Sequence, residues 1–219
     1  MEAGMTVRNV SVTKRVLLSL VVAGLAMSLA VLAADKPVEK GKAPAAAPAM
    51  DEQMKQMMEM MEKMGTPGPQ HADLMKLAGK WKVVTKSWMG PGDPMVTEGT
   101  AAYKPVLGGR FLMEEVHGVF MDKPFEGMGL TGYDNQHKEY VGTWMDNMGT
   151  MIMTSHGSMD ASGKVLTMTS EFDDPATGQK SPVRMVTTFM DPNTKKFEMF
   201  ENHGGQEVRS MEITYTRAK

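Results

Sequence analysis

The fold is decided by residues 125–217, a run of short strand patterns that begins FEGMGLTGYDNQHKEYVGTWMD at residues 125–146. Apolar and polar side chains alternate within each segment, as expected of strands that turn one face toward a core. Turn signals separate the segments: Asp134-Asn135-Gln136-His137, Asp146-Asn147-Met148-Gly149, Asp160-Ala161-Ser162-Gly163, Asp173-Asp174-Pro175, Asp191-Pro192-Asn193 and His203-Gly204-Gly205. Short strands joined so tightly predict an antiparallel meander that closes on itself, because closure removes the exposed strand edges.

Working outward from this run, the sequence predicts ten strands, at about residues 80–89, 95–104, 110–121, 125–133, 138–146, 150–159, 164–172, 182–190, 196–202 and 206–217. A barrel of about ten strands is wide enough to enclose a cavity, whereas about eight strands are filled by side chains or hold one small ligand. The predicted fold class is therefore all-β. It is an antiparallel up-and-down barrel with a short N-terminal entry helix and a separate methionine-rich helix, and the sequence leaves open whether it is hollow or filled.

The N-terminal residues predict export. Arg8, Lys14 and Arg15 precede an apolar run that ends in small residues at Ala33 and Ala34, which is the pattern of a secretory signal peptide. Cleavage is expected after Ala33, with a cleavage after Ala34 as the alternative. A retained membrane anchor also stays open, since the run is close to the length of about 18 residues that can span a bilayer. The predicted location is periplasmic or extracellular, with no membrane attachment after cleavage.

The expected organisation is a signal peptide over residues 1–33, a Pro/Ala-rich linker over 34–49, a methionine-rich amphipathic helix over 50–65, a second linker over 66–70 and the barrel over 71–218. Asp51 can cap the helix, and Gly65 followed by Pro67 ends it. Methionines at three- and four-residue spacing line one face of this helix.

The methionine face has two interpretations. Thioether sulfurs suit Cu(I), so Met54, Met57, Met58 and Met61 are candidate metal ligands. The same face would also pack on the barrel or on a partner, because methionine is a deformable apolar side chain. Methionine occurs 26 times in the chain, and most copies of the barrel region lie at strand positions that need an apolar residue.

Composition excludes several classes of site. The chain has 219 residues, a net charge of −2 and no cysteine. Disulfides, thiol catalysis and zinc–thiolate sites are therefore excluded, and the lack of a basic stripe argues against nucleic acid as a partner. No nucleophile elbow, phosphate-binding glycine loop or His-Glu-x-x-His motif is present, so the sequence gives enzyme activity no support and leaves the question open, with a protein that is not an enzyme as the favoured interpretation. The sequence indicates neither a cofactor nor an oligomeric state.

Several motifs in one order resemble a known family. His71-x-x-Leu74-x-x-Leu77-x-Gly79-x-Trp81 is followed by Gly108-Gly109-Arg110-Phe111-Leu112-x-Glu114-Glu115, by the glycine-containing segment 124–135, by Trp144-x-Asp146 and by the segment 211–217. Together they are similar to the family called Domain of Unknown Function 1579, over nearly all of residues 71–218. That resemblance implies no activity, because the family has none assigned.

The Gly79-x-Trp81 motif also resembles calycin barrels, the group of lipocalins, fatty-acid-binding proteins and nitrobindins. This likeness implies that Trp81 closes the barrel floor against a basic residue from a late strand, and Arg209 and Arg217 are the candidates.

Glu114 and Glu115 are the most informative polar pair. Adjacent strand residues point to opposite faces, so closure of the barrel turns one of these carboxylates inward, unless both lie near a strand end and reach water. An inward carboxylate requires a partner, and His117, Arg209 and Tyr215 are candidates. The candidate ligand-binding residues are Glu115, His117, Tyr140, Trp144, Arg209 and Tyr215. His71 and His137 are predicted to be solvent-exposed.

Three functions follow from these patterns. The first is the binding of a small apolar molecule inside the barrel, oriented by one or two polar groups. The second is a periplasmic copper-binding protein that uses the methionine-rich helix. The third is a structural or interaction module whose barrel is filled.

Overall fold

The computed structural model describes residues 48–173 and 178–219, which all belong to one compact unit. The predicted signal peptide and residues 34–47 of the predicted linker lie outside these ranges, as do Asp174 and Pro175 of one predicted turn. Within the described ranges, no helix is both long enough and apolar enough to cross a bilayer.

Two helices precede the sheet. The methionine-rich helix α1 spans Pro48–Gly65 and the entry helix α2 spans Pro69–Met75. Asp51 lies in the first turn of α1, where a carboxylate interacts favourably with the helix dipole. The end of α1 is tied to the barrel because Asn135 donates hydrogen bonds to the carbonyls of Met64 and Thr66, at 3.0 and 2.8 Å.

Ten strands follow in the order expected. They are β1 (Gly79–Ser87), β2 (Met95–Val106), β3 (Phe111–Phe120), β4 (Lys123–Asp134), β5 (Glu139–Asp146), β6 (Met153–Met159), β7 (Val165–Asp173), β8 (Lys180–Asp191), β9 (Thr194–His203) and β10 (Gln206–Arg217). Each strand pairs antiparallel with its neighbours in the chain, and β10 pairs with β1, so the barrel is closed. The predicted fold class is confirmed, and β6 has the largest boundary error, since it begins at Met153.

One end of the barrel, the floor, is closed by α2, Trp81 and Arg217. Trp81 is only 1% exposed and donates a hydrogen bond from its indole to the carbonyl of Leu77 at 2.9 Å. The Arg217 guanidinium lies 4.4 Å from the centroid of the Trp81 rings and donates to the carbonyls of Lys76 and Ala78, at 2.8 Å each. Arg217 is thus the basic residue that the calycin resemblance implied.

The floor also buries a histidine that was expected to be exposed. His71 is 5% exposed, and its Nδ1 accepts a hydrogen bond from the Gly68 amide at 3.0 Å. Its ring meets the edge of Tyr133 with the centroids 6.0 Å apart. The prediction for His71 is wrong because α2 packs against the barrel instead of leading into it through solvent. His137 is exposed, as predicted.

Side-chain alternation divides each strand into an inner and an outer face. The buried core gathers toward the floor, where Trp81, Val83, Ala101, Tyr103, Leu112, Tyr140 and Tyr215 pack with Leu74 of α2. Since apolar burial is the main favourable contribution to folding, this end of the barrel carries much of its stability.

Gly157 on β6 allows β6 and β7 to approach closely. A Cβ atom at this position would lie 2.0 Å from the carbonyl oxygen of Thr167 and 2.6 Å from the Cα of Met168. Both contacts are with backbone, so a side chain here forces the two strands apart.

We expect Gly157→Ala to lower the free energy of unfolding by about 1–3 kcal/mol, the usual cost of overpacking. Gly149→Ala is the matched control, because a Cβ there meets nothing within 4 Å and the residue has no positive φ. Urea denaturation of both variants measures the effect. Equal stability of the two would contradict the strand contact described for Gly157.

Candidate functional site

The barrel interior holds a cavity of about 680 Å³. All ten strands contribute to its wall, and most of the lining is apolar, including Leu112, Met168, Met185, Phe197 and Ile213. Below it lies the floor. The opposite end reaches the exposed residues Val119, Met148 and Met151, so the cavity opens toward solvent there.

Four polar side chains meet at the floor end of this cavity. This polar cluster consists of Tyr103, Glu114, Lys195 and Tyr215, and all four line the cavity. Tyr103 and Glu114 are directly opposite each other on β2 and β3, and Lys195 and Tyr215 are directly opposite on β9 and β10. Two cross-strand pairs therefore approach each other on either side of β1.

Hydrogen bonds join Lys195, Tyr103 and Glu114 of the polar cluster into a short relay. The Tyr103 hydroxyl donates a hydrogen bond to Glu114 Oε1 at 2.5 Å, and Lys195 Nζ donates to the Tyr103 hydroxyl oxygen at 2.6 Å. Lys195 Nζ also lies 3.7 Å from the Tyr215 ring centroid and 4.5 Å from that of Tyr103, which are cation–π distances. The amine is thus held by one hydroxyl and two ring faces.

Burial sets the protonation of the polar cluster. Burial raises the pKa of Tyr103 and of Tyr215 well above the ordinary tyrosine value, and the nearby Glu114 carboxylate raises both further. Both phenols therefore stay neutral hydrogen-bond donors. Burial lowers the pKa of Lys195 to about 8, although the Glu114 carboxylate acts in the opposite direction. The charged form of a buried amine is disfavoured because it loses its hydration.

Trp144 on β5 also lines the cavity, and its ring packs against β4. A Cβ on Gly127 would lie 2.4 Å from the Trp144 ring, and one on Gly129 would lie 3.1 Å from it. Both glycines therefore leave space for the indole. The indole donates a hydrogen bond to the Asp146 carboxylate at 2.9 Å, which fixes the ring orientation.

The structure brings some of the predicted site residues to the cavity. Trp144 and Tyr215 line it, and His117 borders its rim. Tyr140 faces the interior but is buried in the floor core, where its ring packs against Tyr133 with centroids 5.1 Å apart. Desolvation raises the pKa of Tyr140 above its ordinary value.

Glu115 and Arg209 lie on the outer surface. Glu115 pairs with Lys104 at 2.5 Å and, together with His117, lines a shallow outer depression of about 390 Å³. We favour the interior cavity as the site because its wall is more enclosed and more apolar. Arg209 pairs with Glu198 and Glu212, at 2.9 and 2.7 Å.

A bulge explains the position of Arg209. Strict alternation would place it on the inner face with Met211 and Tyr215. The pairing between β10 and β9 shifts between Arg209 and Met211, so one extra residue, Ser210, turns Arg209 outward. There its guanidinium stacks 4.6 Å above the Trp88 ring centroid.

Sequence reasoning missed Tyr103 and Lys195 and left the choice between Glu114 and Glu115 open. Lys195 had one usable signal, since it alternates with Phe197 and Met199 and a lysine on an apolar strand face is unusual. Within the described ranges, no group of three His, Asp or Glu side chains is arranged to hold a metal ion.

We predict that Lys195 makes stability depend on pH. Because the pKa of Lys195 is about 8 when folded and about 10.4 in an unfolded chain, the unfolded state binds the extra proton between these values. Stability of the wild type relative to Lys195→Met therefore rises from pH 8 to pH 9.5, by at most about 1.4 kcal/mol per pH unit. Urea midpoints at several pH values measure this.

The control for this experiment is Lys82→Met, since Lys82 faces water on the outer side of β1. Its difference from the wild type is expected to stay constant over the same range. A constant difference for Lys195→Met as well would contradict the lowered pKa.

Comparison with known proteins adds a family and a fold. A family model described as "Protein of unknown function (DUF1579)" matches residues 66–217. No curated protein matches the chain. A solved structure, titled "Crystal Structure of Rv2717c from M. tuberculosis", superposes with a TM-score of 0.53 at 14% sequence identity, and the alignment covers 70% of this chain and 100% of that one. At that identity, the likeness concerns the fold alone.

The family model spans every strand and α2, from just after the methionine-rich helix to the last residue of β10. The chain therefore belongs to the family described as Protein of unknown function (DUF1579).

Proposed function

We propose that the protein binds a small, mostly apolar molecule in the barrel cavity. The observation that carries this proposal is the cavity itself, whose volume of about 680 Å³ lies within the range typical of small-molecule sites. A predominantly apolar wall with a few convergent polar groups is the usual composition of such sites. A filled barrel, the structural alternative, would leave no such volume.

The charges of the polar cluster favour a ligand whose polar end is uncharged. The Lys195 ammonium is already balanced by the Glu114 carboxylate through the Tyr103 hydroxyl. A ligand carboxylate would add a net negative charge to this buried place, and an unpaired buried charge is costly. A hydroxyl, ether or carbonyl oxygen could accept a hydrogen bond from Lys195 without that cost.

Filling the cavity tests the proposal. We expect the neutral dye Nile red to become fluorescent on binding to the wild type, and Val116→Phe to weaken its affinity at least about fivefold, because overpacking an apolar site costs about 1 kcal/mol or more. Val116 lines the cavity from β3. Fluorescence titration gives both dissociation constants.

The matched control is Val96→Phe, which adds the same atoms to the outer face of β2, where Val96 is 57% exposed. Its affinity for Nile red should equal that of the wild type. Equal affinities for all three proteins, each with the circular dichroism spectrum of the wild type, would reject the cavity as the binding site.

We propose Cu(I) binding by α1 as a second candidate, because the four candidate methionines of this helix are exposed. Met54, Met57, Met58 and Met61 are 48–64% exposed, whereas Met185 in the barrel is 7% exposed. Residues three and four apart share one face of a helix, so their sulfurs can approach one ion. Soft thioether ligands favour Cu(I).

Titration of Cu(I) against a competing chelator tests this candidate. Replacing Met54, Met57, Met58 and Met61 with leucine should abolish tight binding while keeping the apolar face. Met148 and Met151 are also exposed, and their replacement with leucine is the control that should change nothing. Unchanged affinity in the helix variant would exclude α1 as the copper site.

A further inference from the structure

Lys195 is a buried amine that faces a cavity. Its side chain is 6% exposed, yet it lines the cavity at the floor end. Among the described residues, its Nζ donates a hydrogen bond to the Tyr103 hydroxyl and lies over the ring faces of Tyr103 and Tyr215. No carboxylate is directly bonded to this amine within those residues, so the nitrogen stays available to a molecule in the cavity.

A lysine reacts with carbonyl compounds only as the neutral amine. With a pKa of about 8, about a quarter of Lys195 is neutral at pH 7.5, against about 0.1% for an ordinary lysine. Amines desolvated in apolar pockets are activated in this way for Schiff-base formation. The outer lysines of the barrel, such as Lys82 on β1, are in contact with water instead.

We propose that Lys195 forms a reversible imine with an apolar aldehyde held in the barrel cavity. This inference rests on the proposed function, because the aldehyde's hydrocarbon tail must occupy the same cavity. It also names the ligand class, since an aldehyde is uncharged and carries its one polar group at the end of an apolar chain.

The reaction balances without any further reagent. The Nζ lone pair attacks the carbonyl carbon and forms a carbinolamine, and loss of its hydroxyl as water replaces the C=O bond with a C=N bond. Neither oxidant nor reductant is needed. The water can leave through the open end of the cavity.

The polar cluster supplies the proton transfers that this reaction requires. A proton released by Nζ can pass to the Tyr103 hydroxyl and on to Glu114 Oε1, over hydrogen bonds of 2.6 and 2.5 Å. The same path returns a proton for the departing hydroxyl. The protonated imine keeps one positive charge, which the Glu114 carboxylate balances and the Tyr215 ring face stabilises at the distance now taken by the ammonium.

Reductive trapping tests the inference. The full chain is incubated with a substoichiometric amount of decanal and sodium cyanoborohydride, and peptide mass spectrometry locates the resulting decyl group. We expect Lys195 to carry at least about ten times more label than any other lysine. Glycolaldehyde, which is polar and small, should label exposed lysines without this preference.

Two variants separate reactivity from folding. Lys195→Arg keeps the positive charge but forms no imine, so the label at this position must vanish while the circular dichroism spectrum stays that of the wild type. Tyr103→Phe removes the relay and should slow labelling of Lys195, with the circular dichroism spectrum of the wild type kept. Lys82→Arg is the control that leaves labelling of Lys195 unchanged. If the variants fail to fold, the distribution of label on the wild type decides alone.

The outcomes distinguish the two proposals. Random labelling of surface lysines, with decanal still displacing Nile red, would overturn the imine and leave the ligand-binding proposal intact. In that case Lys195 and Glu114, joined through the Tyr103 hydroxyl, are only polar groups at the floor. Failure of both Nile red and decanal to bind would overturn both proposals.

Discussion

The pairing of β1 with β10 is the constraint on which the rest of the structure depends. It runs from Trp81 opposite Arg217 to Ser87 opposite Met211, and it removes the two edges that a ten-stranded sheet would otherwise expose. Closure gives the sheet an inner face that is separated from solvent. It places Arg217 over Trp81, where the two residues close the floor. It also brings the Tyr103–Glu114 pair and the Lys195–Tyr215 pair to opposite sides of β1. The cavity and its polar cluster therefore both depend on the register between β1 and β10.

The order and type of the elements could be predicted because turn residues and two-residue alternation are local signals. The ten strands, α2 and the end of α1 at Gly65 follow from residues close together in the sequence, whereas the role of Trp81 was implied by the calycin resemblance. Gly127 and Gly129 have a role that these local signals do not show. They leave room for the Trp144 ring, which is a contact between strands.

The chemistry of the site could be predicted only in part, because the inner face of a strand is decided by closure and not by composition. Glu114 and Glu115 are equivalent in sequence, because each alternates with apolar residues on its own face. Arg209 has the alternation of an inner residue, but the extra residue at Ser210 reverses it. A bulge of this kind leaves no mark in a single sequence, whereas Trp144 and Tyr215 lie in regular stretches and line the cavity.

The distance along the chain between the members of the polar cluster has a consequence for folding. Lys195 and Tyr103 are 92 residues apart in the sequence. Strand β1 pairs with β2 and with β10, and β10 is the last strand of the chain to be synthesised. Contacts between distant residues form slowly, because the loop between them must first be closed at an entropic cost. A sheet in which β1 and β10 are not yet paired leaves the amine and the carboxylate in contact with water, and closure removes that water. Desolvation of Lys195 is thus a marker of the moment at which the barrel shuts, and its titration distinguishes a closed molecule from a nearly folded, open one.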